Sequence, residues 1–267
     1  MATLAGKVVV VTGAASGIGR ATAVLLAERS ALLSLSDVNE AALATVKSEL
    51  EKSTNAKVFT SAFDVRNQEA THAWIRDTVA HYGQPIYGAA NVAGVVGPSL
   101  AMEKGTIRNI TDQEFDWVSD INMKGVLNCL RAELPHMQEG KDGRNGGSIV
   151  NVASLAGLLG VPYDVPYVAS KHAVVGMTRA AAKEEGAKAI RVNAVCPGII
   201  DTPQVVGIEE KLGEASATLF GGVAPGPLAR RGDASEVAEA IVFLLSPQSS
   251  FINGVALPIE GGWSCSV

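Results

Sequence analysis

A tyrosine, a lysine and a serine in the middle of the chain form the combination best suited to chemistry. Tyr167 and Lys171 lie four residues apart in a segment with a helical pattern, so their side chains are expected on one helix face. A tyrosine hydroxyl with a pKa of ~10 is a poor base at neutral pH, and a nearby lysine cation or other positive charge lowers that pKa. Tyr167 is then able to accept a proton from an alcohol or donate one to a ketone. Ser154, thirteen residues earlier, is expected to hydrogen-bond the substrate oxygen and share its developing charge.

Each of these residues also has a structural interpretation. A Tyr-x-x-x-Lys pair is commonly a packed ring beside a solvated ammonium, and a lone serine commonly caps a turn. The chemical interpretation depends on their joint order behind a glycine-rich segment near the start of the chain.

That glycine-rich segment predicts a dinucleotide site. Gly13, Gly17 and Gly19 lie between a β-branched run at 7–12 and a stretch with helical spacing. Glycines allow a tight turn and a close approach of the backbone to a pyrophosphate, to which the helix N-terminus offers N–H groups and partial positive charge. The spacing is G-x-x-x-G-x-G rather than G-x-G-x-x-G, and a plain glycine turn is the alternative.

The residue that ends the second predicted strand favours NAD as the cofactor. Asp37 follows Gly19 by 18 residues, and a carboxylate there accepts hydrogen bonds from ribose hydroxyls and repels a 2′-phosphate. Val38 comes next, and neither Ala15 nor Ser16 is basic, so nothing obvious is placed to hold NADP. NAD is therefore expected, with NADP as the alternative. Asp37 has a second interpretation, as the cap of a helix beginning near Val38.

The elements that position these residues alternate between strand and helix. Short apolar runs predict buried strands at 7–12, 31–35, 58–62, 86–91, 148–152, 191–195 and 255–257. Helical patterns follow the glycine segment and recur at 40–51, 68–81, 112–137, 168–186 and 235–245. This alternation predicts an α/β fold with a doubly wound parallel sheet, a three-layer Rossmann fold, in a single domain over 1–267. The Gly- and Pro-rich stretch 198–232 is expected to form a substrate loop or lid.

Composition argues against several other classes of protein. Lysine plus arginine is 22 and aspartate plus glutamate is 27, and the net charge of −5 is not that expected of a nucleic-acid binder. No apolar run approaches the ~18 residues of a membrane span, and no signal peptide is visible, so a cytoplasmic protein is expected. The three cysteines and four histidines lack metal-ligand spacing, so we expect free thiols and no metal.

Together, these motifs resemble the short-chain dehydrogenase/reductase family, in its single-domain soluble branch. The matching segments follow one another in family order and are 12–19, Asp64-Val65, Asn91-Val92-Ala93-Gly94, Asn122, Ser154, 167–171, Pro197-Gly198 and Thr202. The resemblance implies an oxidoreductase that transfers a hydride between a nicotinamide cofactor and a secondary alcohol or ketone. It also implies a homodimer or homotetramer with a small-molecule substrate.

The resemblance assigns roles to individual residues. The catalytic set is Asn122, Ser154, Tyr167 and Lys171, in which Asn122 anchors a water that links Lys171 to solvent. Asp64 and Val65 would border the adenine, Asn91 would support the ribose region, and the segment 197–202 would hold the nicotinamide side. The full set of expected cofactor contacts is Gly13, Ser16, Gly17, Ile18, Gly19, Asp37, Asp64, Val65, Asn91, Ala93, Gly94, Tyr167, Lys171, Pro197, Gly198, Ile200 and Thr202.

The sequence indicates less about the substrate than about the cofactor. The residues expected near the pocket are mostly apolar, namely Val95, Val96, Leu155, Leu158 and Leu159, and they favour a hydrophobic small molecule such as a secondary metabolite. Asp164 is interpreted either as a border of the substrate site or as a helix cap, and Trp263 as a packing residue. A non-redox isomerase or cyclase and a dinucleotide-sensing binding protein are the alternative functions. The intact set of Ser154, Tyr167 and Lys171 disfavours both.

Overall fold

The computed structural model describes residues 4–213 and 226–265, and its centre is a seven-stranded parallel sheet. The strands are β1 (Val8–Thr12), β2 (Leu32–Asp37), β3 (Val58–Ala62), β4 (Ile86–Asn91), β5 (Ser148–Val152), β6 (Arg191–Pro197), β7 (Ile200–Asp201), β8 (Gly232–Asp233) and β9 (Ala256–Ile259). The helices are α1 (Gly17–Glu28), α2 (Glu40–Thr54), α3 (Gln68–Tyr82), α4 (Asp112–Ser119), α5 (Gly125–Glu133), α6 (Val165–Glu184), α7 (Pro203–Leu212) and α8 (Ala234–Leu245). The predicted doubly wound α/β fold is confirmed.

The order of the strands creates a crevice at one edge of the sheet. The sheet runs β3-β2-β1-β4-β5-β6-β9, and each neighbouring pair is parallel, while β7 and β8 form a separate two-residue pair. The chain therefore builds outward from β1 to β3, returns to β4 and builds in the opposite direction. Ligands of open parallel sheets bind where the order reverses, beyond the carboxyl ends of the strands. In this chain that place lies beyond β1 and β4.

Helices cover both faces of the sheet, and alternate strand residues supply the two cores. On β1, Val9 and Val11 pack into one core with residues of α1, α2 and α8. Val8 and Val10 face the opposite core, which holds residues of α3, α5 and α6. All five residues of β1 are buried, which explains why the strand reads as a continuous apolar run.

The long helix predicted at 112–137 is wrong in one respect, because a π-helical turn at Asp120–Lys124 separates α4 from α5. Asn122 lies in this turn. Its Oδ1 accepts a hydrogen bond from the Val95 amide, and its Nδ2 donates to the Val95 carbonyl, both at 2.8 Å. The same amide group donates to Ser170 Oγ of α6 at 3.1 Å. One buried side chain therefore links the π turn to the loop after β4 and to α6. Such turns often mark functional sites.

A second buried polar network lies on the face of the sheet that α5 and α6 cover. Asn91 of β4 donates from Nδ2 to Glu133 Oε2 at 3.1 Å and to Asn151 Oδ1 at 3.0 Å. Asn151 in turn donates to Thr178 of α6 at 3.0 Å. Glu133 is fully buried, and burial raises the pKa of its carboxyl to about 7 despite the hydrogen bond from Asn91, which lowers it.

The described part of the chain contains no helix that combines the length and the apolar character needed to cross a membrane.

We expect Glu133→Gln to stabilise the protein more at pH 8 than at pH 5. The folded state holds a proton on Glu133 that the unfolded state releases between the usual pKa of 4.5 and about 7. The free energy of unfolding therefore falls as pH rises through that window, and neutral glutamine avoids the loss. The gain in Tm at pH 8 should correspond to roughly 1–3 kcal/mol. The exposed Glu184→Gln serves as the control, and a gain that does not grow with pH would contradict the assignment.

Candidate active site

A cavity of about 540 Å³ lies at the crevice between the carboxyl ends of the strands. It collects most of the residues that the sequence singled out, from segments far apart in the chain. The predicted residues that line it are Gly13, Ser16, Gly17, Ile18, Gly19, Asp37, Asp64, Val65, Ala93, Gly94, Ser154, Tyr167, Lys171, Pro197, Gly198, Ile200 and Thr202. Asn91 and Asn122 do not line it.

The glycine turn after β1 is packed too closely against neighbouring backbone to admit side chains at Gly13 and Gly19. Gly13 has a φ of 66°, and a Cβ there would lie 2.9 Å from the amide nitrogen of Ala93. A Cβ on Gly19 would overlap the carbonyl group of Gly13. Ser16, at the start of α1, makes no side-chain capping hydrogen bond, and the first turn of α1 contains no acidic residue. These residues fit a dinucleotide pyrophosphate, because the turn can approach it closely and the helix N-terminus favours an anion.

Asp37 is held at the edge of the cavity by backbone amides. Its Oδ2 accepts a hydrogen bond from Ala15 at 3.0 Å, and its Oδ1 accepts one from Asn39 at 2.9 Å. The capping alternative is wrong, since Asn39 is the cap of α2 and its side chain accepts from the Ala42 amide. The carboxylate of Asp37 is therefore fixed by the glycine turn itself, with its orientation set before any ribose binds.

Asp64 also lines the cavity, but its carboxylate already has a partner. Arg66 donates to Asp64 from Nε and Nη2, at distances down to 2.6 Å. These bonds hold the pKa of the Asp64 carboxyl below its usual value. Asp64 lines the cavity beyond β3, which β2, β1 and β4 separate from β5, the strand that Ser154 follows.

Ser154, Tyr167 and Lys171 meet at the other end of the cavity. Ser154 follows β5, and its Oγ accepts a hydrogen bond from the Ala156 amide at 3.1 Å. Tyr167 and Lys171 lie one turn apart on α6, with Lys171 Nζ 5.4 Å from the centre of the Tyr167 ring. Lys171 Nζ donates to the Val152 carbonyl of β5 at 2.9 Å, which ties the helix to the end of the strand.

Burial dominates the protonation of the tyrosine and the lysine. It raises the pKa of Tyr167 to about 12, while a hydrogen bond with Ser154 lowers that pKa and the nearby Asp164 raises it further. It lowers the pKa of Lys171 to about 8. Desolvation is therefore the largest influence on the pKa of the Tyr167 hydroxyl among the chain's own groups, and the expected lowering of this pKa by Lys171 together with a further positive charge stays a prediction.

Asn122 lies behind the cavity rather than in its wall. A Cβ added to Gly94 would lie 3.2 Å from both Asn122 Oδ1 and Lys171 Nζ, so Gly94 packs closely against both groups. The hydrogen bonds of Asn122 go to Val95 and Ser170. Its observed contacts therefore brace the loop after β4 against α6.

Asn91 is not brought to the cavity. Its side chain points into the buried network with Glu133 and Asn151. A direct contact between this side chain and a cofactor ribose is therefore not supported, although Ala93 and Gly94, which follow it, do line the cavity.

The structure decides between sequence interpretations for one cavity residue, Asp164, and corrects the interpretation of another, Trp263. Trp263, expected to be a packing residue, lines the cavity. Asp164 also lines it and is only 5% exposed, and although it stands at the N-cap of α6 its side chain makes no capping hydrogen bond. The signal for Asp164 was its position three residues before Tyr167, which also fits a helix cap.

The expected lid at 198–232 is described in part. Its helix α7 contributes Pro203, Gln204, Val205 and Ile208 to the wall of the cavity. Residues 214–225, which include Gly221, Gly222 and Pro225, lie outside the described residues. Within the described ranges, no group of three or more His, Cys, Asp or Glu side chains is placed to hold a metal ion.

Known proteins resemble this chain over nearly its whole length. A family profile described as Enoyl-(Acyl carrier protein) reductase matches residues 13–264. A short-chain dehydrogenase/reductase of Botryotinia fuckeliana, aba4, is 42% identical over 259 residues, covering 97% of both chains. Levodione reductase of Leifsonia aquatica is 38% identical, covering 97% of this chain and 95% of that protein. A crystal structure of levodione reductase superposes with a TM-score of 0.88 at 36% identity, covering 100% of both chains.

We expect Gly19→Ala to weaken cofactor binding and to lower the Tm. The added methyl group would overlap the Gly13 carbonyl, and overpacking of this kind costs about 1–3 kcal/mol. The Kd for NADH, measured by fluorescence titration, should rise at least about tenfold. The control is Gly207→Ala on α7, where an added Cβ meets nothing within 4 Å. An unchanged Kd in Gly19→Ala would show that the turn does not approach the cofactor.

Proposed function

The chain belongs to the short-chain dehydrogenase/reductase family, and we propose that it uses NAD to interconvert a secondary alcohol and a ketone on a hydrophobic small molecule. Like the dehydrogenases and reductases that it resembles, it is an oxidoreductase with a nicotinamide cofactor and a small-molecule substrate. The observation that carries the finer proposal is the joint placement of Ser154, Tyr167 and Lys171. They stand in the same cavity that begins at the glycine turn and Asp37.

The cavity residues divide the chemistry between them. The bound nicotinamide supplies or accepts the hydride. Tyr167 transfers the proton: with its pKa raised to about 12 it is protonated at neutral pH and able to donate to a ketone oxygen. Ser154 holds the same oxygen by a hydrogen bond. Lys171, with a pKa lowered to about 8, still carries a positive charge at neutral pH and favours the tyrosinate that donation leaves.

We expect Tyr167→Phe to lower kcat by ~10²–10⁴ and to leave the Kd for NADH nearly unchanged. Phenylalanine keeps the ring beside Lys171 and removes only the transferable proton. Turnover is followed by the nicotinamide absorbance with a panel of ketones and secondary alcohols. The matched control is Tyr163→Phe, because Tyr163 is 42% exposed and does not line the cavity. A variant that keeps more than about a tenth of the wild-type kcat would remove Tyr167 from this role.

The proposed preference for NAD depends on Asp37. Its carboxylate is fixed by the amides of Ala15 and Asn39, so it cannot turn away from a 2′-phosphate without losing two hydrogen bonds. Val38 beside it is exposed and uncharged.

We expect kcat/KM to be higher with NADH than with NADPH, and Asp37→Asn to narrow the difference by removing the repulsive charge. The two reduced cofactors are compared at one pH and ionic strength with the same ketone, and Asp77→Asn is the surface control. A wild-type preference for NADPH above about tenfold, or ~1.4 kcal/mol, would contradict the assignment.

A hydrophobic substrate is supported by the wall of the cavity. Apolar side chains predominate around the catalytic end, and they include Val95, Val96, Leu100, Leu155, Leu159, Val161 and Trp263. The similar levodione reductase is named for the reduction of a small ketone. We extend this to a substrate from secondary metabolism.

We also propose that α7 belongs to a lid over the substrate. Besides contributing four residues to the cavity wall, α7 is held by an ion pair of Glu209 with Arg231 and by a hydrogen bond from Lys211 to the Pro98 carbonyl. A lid excludes water around the transfer step. Hydrogen exchange in α7 should slow when cofactor and substrate bind, and unchanged exchange would contradict the lid.

A homodimer or homotetramer is proposed for the assembly. Large apolar side chains are exposed on the surface, among them Phe115 and Trp117 of α4 and the fully exposed Phe251. Burial of such residues between subunits would be favourable. A cytoplasmic location is proposed as well, and the unpaired state of Cys129, Cys196 and Cys265 fits a reducing compartment.

A further inference from the structure

We propose that Asp164 determines specificity by accepting a hydrogen bond from a second hydroxyl group of the substrate. The preferred substrate is then a hydroxyl-bearing ketone, or the corresponding diol, on an otherwise apolar skeleton. This inference rests on the proposed alcohol–ketone chemistry and names the class of molecule that the same cavity takes.

The first observation is the position of the Asp164 carboxyl. The residue lines the cavity and is only 5% exposed, so its side chain is almost wholly removed from bulk water. It lies three residues before Tyr167, at the start of α6, which places it on the catalytic side of the cavity.

The second observation is that this carboxyl lacks a partner. Its Oδ1 is buried without a hydrogen bond, and the side chain does not cap α6, among the residues that the structure describes. The nearby Glu114 offers no compensation: it is also acidic, and its carboxylate already accepts from the amide and hydroxyl of Ser99, at 2.8 and 2.6 Å.

An unpartnered buried carboxyl is costly for the fold. Burial, with the negative Glu114 as a smaller contribution, raises the pKa of Asp164 to about 7. A polar group buried without a partner destabilises the folded state, and residues that break this rule concentrate at functional sites. A capping role, the alternative that the sequence offered for Asp164, does not lower this cost, because its side chain makes no capping hydrogen bond.

The surroundings of Asp164 indicate which partner fits. The other two aspartates of the cavity lie at β2 and β3, separated from the strand before Ser154 by β1 and β4: Asp37 ends β2 and Asp64 follows β3. Two apolar residues of the wall adjoin Asp164: Val161 lies three residues before it, and Leu100 precedes Ala101, whose amide donates to the Tyr163 carbonyl at 3.3 Å. An ammonium group brings three donors and needs several acceptors, whereas a hydroxyl needs one. A single carboxyl in an apolar wall therefore fits a hydroxyl.

This arrangement predicts strong discrimination against analogues without the hydroxyl. A site built to hydrogen-bond a substrate hydroxyl rejects a molecule that lacks it, because the buried polar group is again left without a partner. The apolar wall then binds the carbon skeleton of the substrate, and Asp164 distinguishes substrates of similar size by whether they carry the second hydroxyl group.

Turnover tests the proposal with matched probes: cyclohexanol and cyclohexane-1,2-, -1,3- and -1,4-diol, each oxidised with NAD⁺ by the wild type, Asp164→Leu and Asp164→Asn. We expect at least one diol to exceed cyclohexanol about tenfold or more in kcat/KM, and Asp164→Leu to abolish that preference. Asp77→Leu, at an exposed position outside the cavity, is the control and should keep it. Equal use of cyclohexanol and every diol by the wild type, or a preference kept in Asp164→Leu, would overturn the proposal.

Binding tests the proposal independently of turnover. Calorimetric titration of the same alcohols and of trans-2-aminocyclohexanol, with saturating NAD⁺, is compared between Tyr167→Phe and the double variant with Asp164→Leu. Tighter binding of a diol that is lost in the double variant supports the proposal even if no alcohol is oxidised, an outcome that would count against the proposed function alone. Tighter binding of the amino alcohol than of any diol would overturn the hydroxyl assignment.

Stability separates recognition from a structural role. Because Asp164 is unpartnered, Asp164→Leu and Asp164→Asn should unfold at the same temperature as the wild type or higher. A fall in Tm in both variants would show that Asp164 supports the fold, and would overturn the proposal.

Discussion

The close approach of the backbone at the end of β1 is the constraint on which the site depends. The strand order reverses between β1 and β4, so the loops after these strands diverge and leave a crevice. The turn at Gly13 packs against Ala93 so tightly that a single Cβ would collide with the backbone. The same turn supplies the Ala15 amide that fixes Asp37. This end of the cavity is therefore shaped by backbone proximity, and the backbone also orients the carboxylate on which the proposed preference for NAD depends.

Desolvation governs the opposite end of the cavity. Tyr167, Lys171 and Asp164 each have a pKa displaced toward the neutral form, to about 12, about 8 and about 7, and burial is the largest cause in each case. Where burial weakens the charged forms of titratable groups, their protonation responds strongly to any charge or hydrogen bond brought by a ligand. Burial of titratable groups would destabilise an ordinary core. In this cavity it makes the protonation of these three groups sensitive to a bound substrate and cofactor.

Residues outside the cavity hold the reactive ones in place. Lys171 is tied to the end of β5 through the Val152 carbonyl, and Asn122 ties the loop after β4 to α6 from within a π turn. Below the sheet, Asn91 and Glu133 connect β4 with α5. These contacts make the relative position of strand ends and helix α6 a property of the whole molecule, so the reacting groups need no mobile loop to bring them together.

The alternation of apolar runs and helical patterns was sufficient to predict the doubly wound sheet, since strands buried on both faces are continuous apolar segments. The strands at 58–62, 86–91 and 148–152 have the predicted limits. The motif residues around Gly13, Ser154 and Tyr167 were predicted to share a site, and the structure places them on one cavity. The directions and partners of individual side chains, in contrast, could not be predicted from the sequence pattern. Asn91 points into the core, Asp164 lines the cavity without capping α6, and Asn122 lies in a π turn that interrupts a helix predicted to be continuous. Local spacing determines which residues form a strand or a helix, whereas hydrogen-bond partners and burial depend on elements distant in sequence. The fold and the identity of the chemical groups could thus be determined from sequence alone, and only the tertiary structure decided their partners and their protonation, because desolvation is a property of the packed molecule.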